Sequence, residues 1–101
     1  MAEFVKVASL SELPPGSAKA VEVSGKELAL YNLGGAVFAT DNTCPHRGGP
    51  LGEGDLKAQV ITCPWHGFQY DVKTGKCLTN AALSLRCHPV RIEGDSILVE
   101  V

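Results

Sequence analysis

The sequence predicts an all-β protein. Three observations carry that reading. Apolar residues alternate over short runs of about five to eight residues, and Gly- or Pro-bearing turns separate the runs. No long stretch keeps the 3.6-residue apolar period of an amphipathic helix.

The elements follow in order. "EFVKVA", residues 3–8, alternates as a strand. Ser9 then sits where it can cap a single helical turn, with Glu12 at the capping-box position, and Pro14-Pro15-Gly16 ends that turn. "AKAVEV", 18–23, is a strand, and Ser24-Gly25 turns it into "KELALYNL", 26–33. Gly34-Gly35 reverses the chain into "AVFAT", 36–40, which is a hairpin signature. "KAQVITC", 57–63, predicts one strand ending at Cys63. "FQYDV", "TGKCL" and "LRCHPVRIEG" predict further short strands, and Gly94-Asp95 turns into the last, "SILVEV". The Gly-rich segment 44–56 lacks alternation and is expected to project from the sheets as a loop.

Length and composition narrow the class. At 101 residues the chain is expected to be one domain, 1–101. It is 45% hydrophobic and 20% charged, as globular chains are. A net charge of −2 with no basic run argues against a nucleic-acid or membrane-surface partner. The start "MAEFVKVASL" lacks a secretory pattern. No apolar run approaches the roughly 18 residues of a membrane span, so a cytoplasmic location is expected. In that compartment the four cysteines, Cys44, Cys63, Cys77 and Cys87, argue for metal binding over disulfides.

Two of the four lie in a local repeat. "CPHRGGP" begins at Cys44 and "CPWHGF" at Cys63, giving C-x-H, sixteen residues, then C-x-x-H. Each loop offers one thiolate and one imidazole, ligands suited to zinc, iron or an iron–sulfur cluster. Pro45 and Pro64 hold the preceding cysteines extended and stiffen the turn towards His46 and His66. Gly48, Gly49 and Gly67 permit close approach, so their N–H groups could face electron-rich sulfur. A closed zinc tetrahedron is the first competitor, although zinc knuckles commonly pair like with like. A two-iron cluster accounts for the mixture, because each loop then reaches both irons. A Cys–His nucleophile pair would leave the first loop unexplained.

"CPHRGGPLGEGDL" and "CPWHGFQYDVKTGKC" resemble the two ligand loops of Rieske [2Fe–2S] proteins, in particular the small soluble ferredoxins of bacterial oxygenase systems. The resemblance extends over nearly the whole chain. It implies three antiparallel sheets, with a cluster-binding subdomain (loops at about 42–70) inserted in a base domain. It implies one [2Fe–2S] cluster, with Cys44 and Cys63 on the inner iron and His46 and His66 on the outer one. Two ferric ions, two sulfides and two thiolates sum to zero charge, which makes an added electron easier to accept than with four thiolates. An outer imidazole that loses its remaining proton more readily beside ferric iron would make the potential fall with pH in the alkaline range.

The loops also locate the chain within that family. Respiratory-chain members carry an extra Cys in each loop, joined as a disulfide; the matching positions here are Gly49 and Trp65. Those proteins also have a Ser, donating to a sulfide, where this chain has Phe68, whereas Tyr70 matches a family tyrosine that donates to a cysteine sulfur. Fewer donors predict a potential near the low end of the Rieske span, roughly −150 mV. The resemblance therefore implies a one-electron carrier, not an enzyme by itself. Its expected partners are an NAD(P)H-dependent flavoprotein reductase and a terminal Rieske non-haem iron oxygenase acting on an aromatic ring, docking transiently near His46 and His66. A monomer is expected. The alternatives are the small subunit of an assimilatory nitrite reductase and, from a different class, a zinc-bound structural or interaction module. The length argues against the Rieske domain of an oxygenase large subunit.

Other residues have plainer readings. Cys77 and Cys87 read as buried thiols in strands, and His88 as a partly exposed strand histidine. Trp65 suits core packing, a shield over the site or a docking surface. Arg47 reads as a loop charge, with Glu53 or Asp55 as candidate partners. Pro50-Leu51 is expected to form an apolar docking tip. Family members often cover the cluster with a proline-bearing third loop, and "TNAALSL", 79–85, has no proline there.

Overall fold

The computed structural model describes residues 3–23, 25–44, 49–65, 67–80 and 82–100. They form ten strands in three antiparallel sheets. One base sheet joins β1 (Phe4–Ser9), β10 (Ser96–Glu100) and β9 (Val90–Glu93) in the order β1-β10-β9. The second joins β2 (Ala18–Val23), β3 (Lys26–Leu33), β4 (Ala36–Asp41) and β8 (Cys87–His88) in that order. The third is a meander of β5 (Asp55–Lys57), β6 (Val60–Thr62) and β7 (Gln69–Asp71). Two single 3-10 turns, Leu10–Glu12 and Leu51–Glu53, complete the elements. No helix among the described residues is long and apolar enough to cross a membrane.

The central strand β3 divides the interior in two. Its residues alternate between faces, as any strand's must. Leu28 and Leu30 enter the base core with Leu13, Ala39, Ile97 and Val99. Ala29 and Tyr31 enter a second core with Leu51, Ile61, Tyr70 and Val72. A strand buried on both faces reads as a nearly continuous apolar run, and "LALY" does. The second core also contains Cys44 and Cys63, so the candidate ligands rest on packed side chains.

Most expected elements form. β2 spans 18–23 and pairs with β3, and the 26–33 and 36–41 strands make the Gly34-Gly35 hairpin. The Glu12 carboxylate accepts the Ser9 N–H at 2.9 Å, as the capping pattern predicts. Three expectations need correction. "KAQVITC" is not one strand: the chain turns at Ala58-Gln59, so Lys57 ends β5 and Val60 begins β6. Ala58 sits at φ +51°, and Gln59 is held by a hydrogen bond from its Nε2 to Asp71 Oδ2 at 2.7 Å. "TGKCL" makes only isolated bridges, Lys76 to Ser84 and Tyr70 to Cys77. "LRCHPVRIEG" is broken at Pro89, which has no N–H to give a ladder. Residues before it pair with β4 and residues after it with β10, so the chain changes sheets there.

Candidate metal centre

The two Cys-bearing loops are closed by the same backbone device. The Cys44 N–H donates to the Gly49 carbonyl at 2.9 Å, and the Cys63 N–H donates to the Phe68 carbonyl at 2.7 Å. Each bond spans five residues, and each candidate histidine falls inside that span in sequence. His46 and His66 themselves lie outside the described residues, as do Pro45, Arg47 and Gly48. Arg47, as a loop charge or as a partner of Glu53 or Asp55, therefore falls outside them too. The first loop is pinned further by a bridge between Thr43 and Pro50. The second carries Gly67 at φ +71°, a conformation that favours glycine. The Gly67 N–H goes to the Cys63 carbonyl at 3.1 Å, not to a sulfur.

The loops bring Cys44 and Cys63 into one buried cluster, with 1% and 2% of their surface exposed. Gly49 lies against Cys63: a Cβ there would come within 2.7 Å of the Cys63 Sγ and 3.2 Å of the Trp65 Cγ. Gly49 and Trp65 are therefore neighbours in space, a glycine with the indole ring packed over it. On the other side, the Tyr70 hydroxyl lies 3.0 Å from the Cys44 Sγ. Burial first, and then the hydrogen bond with Cys44, hold the Tyr70 phenol above its ordinary range, so it remains a hydrogen-bond donor at neutral pH. Two buried sulfurs from like loops, a hydroxyl aimed at one and a side-chain-free position beside the other, fit a sulfur-rich cluster.

Supporting residues come from outside the motif. The Asn42 side chain accepts the Gly52 N–H at 2.7 Å, and its carbonyl accepts the Leu51 N–H at 2.7 Å. This seats the Leu51–Glu53 turn beneath the first loop. Leu51 is fully buried, so Pro50-Leu51 is not an exposed apolar tip: the leucine is core that supports the site. In the third loop, the Asn80 N–H donates to the Cys77 Sγ at 3.3 Å, and the Asn80 side chain accepts the Ala82 N–H at 2.9 Å. An asparagine turn thus shapes this loop without proline, and Leu83 and Leu85 pack into the site core. Asn42 and Asn80 carry no metal-ligand pattern, and only turn chemistry marks them in sequence.

The remaining candidates separate clearly. Cys77 is buried in the site core, whereas Cys87 is exposed on β8, against expectation. Desolvation, followed by the charges of Asp71 and Asp41, pushes the Cys87 thiol up, which makes it a poor nucleophile. His88 is half-buried, with its Nε2 2.7 Å from Asp41 Oδ1, a structural pairing within the base. Trp65 is 58% exposed and Leu78 57%, so Trp65 is not core: it covers Gly49 and presents its free face to solvent.

The model of the Rieske [2Fe-2S] domain matches residues 3–89. The chain belongs to that family. Among its relatives, the ferredoxin component of the naphthalene 1,2-dioxygenase system of Pseudomonas aeruginosa is 36% identical over 100 residues, covering 98% of this chain and 96% of that protein. The ferredoxin of carbazole 1,9a-dioxygenase from Nocardioides aromaticivorans IC177 superposes with a TM-score of 0.89 at 35% identity, over 95% of both chains. A chain from a complex of reduced oxygenase and oxidised ferredoxin of carbazole 1,9a-dioxygenase gives a TM-score of 0.88 at 33% identity, over 95% of this chain and 91% of that one. A Mycobacterium tuberculosis protein assigned as a nitrite reductase small subunit has a TM-score of 0.91 at 22% identity, over 100% of this chain and 96% of that one, a likeness of fold alone. The Rieske family accounts for the all-β architecture, the three sheets and the paired loops together. It implies one [2Fe–2S] cluster.

Proposed function

We propose that this protein is the ferredoxin component of an aromatic-ring dioxygenase system, taking single electrons from an NAD(P)H-dependent flavoprotein reductase to a terminal Rieske non-haem iron oxygenase. The full-length similarity to ferredoxin components, in both directions, carries this reading. One domain spanning 1–101, a monomeric state and a cytoplasmic location belong to the same reading.

Cys44 and Cys63 would hold one iron, and His46 and His66 the other. When bound, the cluster supplies a one-electron centre, and the protein has no bond-making step to catalyse. The chain's own residues do the rest. The Tyr70 hydroxyl gives a hydrogen bond to the Cys44 sulfur and so favours the more negative state. Leu51, Ile61 and Val72 exclude water behind the sulfurs. Gly49 leaves room at Cys63, and the Trp65 ring closes over it. The exposed face of Trp65 adjoins the histidine-bearing loop in sequence and suits brief docking, for which a small interface suffices.

The experiment is reconstitution of NADH-driven ring oxidation from purified reductase, oxygenase and this protein. Turnover that requires this chain supports the reading. Turnover that proceeds equally without it, or copurification with a sirohaem subunit, overturns it in favour of another redox system. Zinc in freshly purified protein, without iron or acid-labile sulfide, favours the structural module.

A further inference from the structure

The third loop meets the second Cys-bearing loop through one peptide group. The Phe68 carbonyl accepts the Cys63 N–H at 2.7 Å, the bond that closes the loop begun at Cys63. The N–H of that same peptide unit belongs to Gln69, and it donates to the Thr79 Oγ1 at 3.0 Å. The unit is planar, so its C=O and N–H cannot turn independently. A group that holds one end sets the direction of the other.

Thr79 holds its end in place of a backbone carbonyl. Tyr70 and Cys77 face each other across an antiparallel bridge, and the Leu78 N–H donates to the Gln69 carbonyl at 2.7 Å. In a regular hydrogen-bonded antiparallel pair the two residues exchange both bonds, so the Gln69 N–H would return to Leu78. It goes to the Thr79 hydroxyl instead. The ladder ends on a side chain, and the backbone is released into the turn at Asn80, whose side chain accepts the Ala82 N–H at 2.9 Å. Beyond that turn Leu85 is buried in the core that holds Cys63, with Leu83 packed against it. The third loop is thus anchored by its leucines at one end and by Thr79 at the other.

We propose that Thr79 is a positioning residue for the metal centre: its hydroxyl fixes the Phe68–Gln69 peptide and, through it, the closure of the loop that carries Cys63. The inference rests on ligation by Cys63. The two bonds on this peptide run in one direction, from the Cys63 N–H to the carbonyl and from the Gln69 N–H to the hydroxyl, so each polarises the other. The consequence is retention of the cluster. Without the hydroxyl, the Gln69 N–H turns to water, the peptide plane can swing, and the loop opens more often. Gln69 and Thr79 are both exposed, so water competes for this bond and its loss weakens the closure without abolishing it.

The test follows how fast the cluster-loaded protein loses its iron–sulfur absorbance to excess chelator. Backbone hydrogen exchange over residues 63–70, read by mass spectrometry, accompanies it. Thr79→Val keeps the branched shape and removes the acceptor, whereas Thr79→Ser keeps the acceptor. Ser17→Ala removes an exposed hydroxyl bond to the Pro14 carbonyl in the base and controls for general weakening. Thr79→Val should release the cluster about fivefold faster, the factor set by the net worth of one hydrogen bond. Its exchange should quicken over 63–70 and stay unchanged in β1. Thr79→Ser and Ser17→Ala should both match wild type. A wild-type rate in Thr79→Val, or an equal acceleration in Thr79→Ser or in Ser17→Ala, overturns the inference. Failure of the underlying ligation has a different signature: a wild-type protein with no iron–sulfur absorption, or a Cys63→Ala protein that retains it.

Discussion

Tyr70→Phe deletes one oxygen atom and leaves the ring in place. The ring is fully buried beneath the two Cys-bearing loops, so the packing is retained and the chief loss is the donor 3.0 Å from the Cys44 Sγ. A hydrogen bond to a charged group contributes about 1.5–3 kcal/mol. Only the part that grows as the sulfur becomes more negative affects the potential, and we take this as ~1 kcal/mol. For a one-electron couple, tenfold in the equilibrium constant is 59 mV, so ~1 kcal/mol is about 40 mV. The variant should therefore titrate about 40 mV below wild type, with unchanged iron and sulfide content and a similar melting temperature. The assay is a mediated redox titration followed by visible absorbance. A potential within ~10 mV of wild type in a fully loaded variant, or a rise, would refute the argument that Tyr70 donates to a ligand sulfur.

Other outcomes follow from the same geometry. Gly49→Ala puts a methyl group 2.7 Å from the Cys63 Sγ; overpacking of this kind costs about 1–3 kcal/mol, and the purified variant should show less cluster absorbance per chain and a lower melting temperature. Leu51→Ala empties a fully buried position under the first loop and should cost about 2–5 kcal/mol in urea unfolding, whereas an exposed docking tip would have left stability unchanged. The Asp71 carboxyl is held below its ordinary value: desolvation opposes the shift, but the Gln59 side chain, the Lys73 and Thr74 N–H groups and the Lys73 charge outweigh it. Its stabilising contribution is therefore complete above the unfolded carboxyl pKa, about 3.9, and is lost as pH falls through the lower folded value. Asp71→Asn should accordingly flatten the fall in urea midpoint below about pH 4.

The parts of this molecule legible in its sequence are those set by local chemistry. Residues 18–41 read directly, because short alternating or continuous apolar runs are separated by Gly-bearing turns. The two Cys-bearing loops stand out by residue type and spacing, whereas their expected part in holding a cluster came from the family resemblance. The β5–β6 turn did not, because Ala58-Gln59 contains no turn-forming residue and is held by contacts made from Asp71 and Val72, more than ten positions away. Pro89 marked a break, but only the pairing of β8 with β4 and β9 with β10 shows that it carries the chain between sheets. Leu51 was misplaced for a related reason: a leucine beside proline and glycine looks like a loop tip until Asn42, nine residues earlier, is seen to draw it inward. Cys77 reads as a plain core thiol in sequence, and its place beside Tyr70 emerges only when the chain folds back at 71–76.

A cluster held by the two loops would let this chain carry one electron at a time. Coulometric titration of the freshly purified protein counts those electrons. One electron should be taken up per chain, at a potential near the low end of the Rieske span, roughly −150 mV. No electron uptake, or uptake at a clearly positive potential, would contradict it.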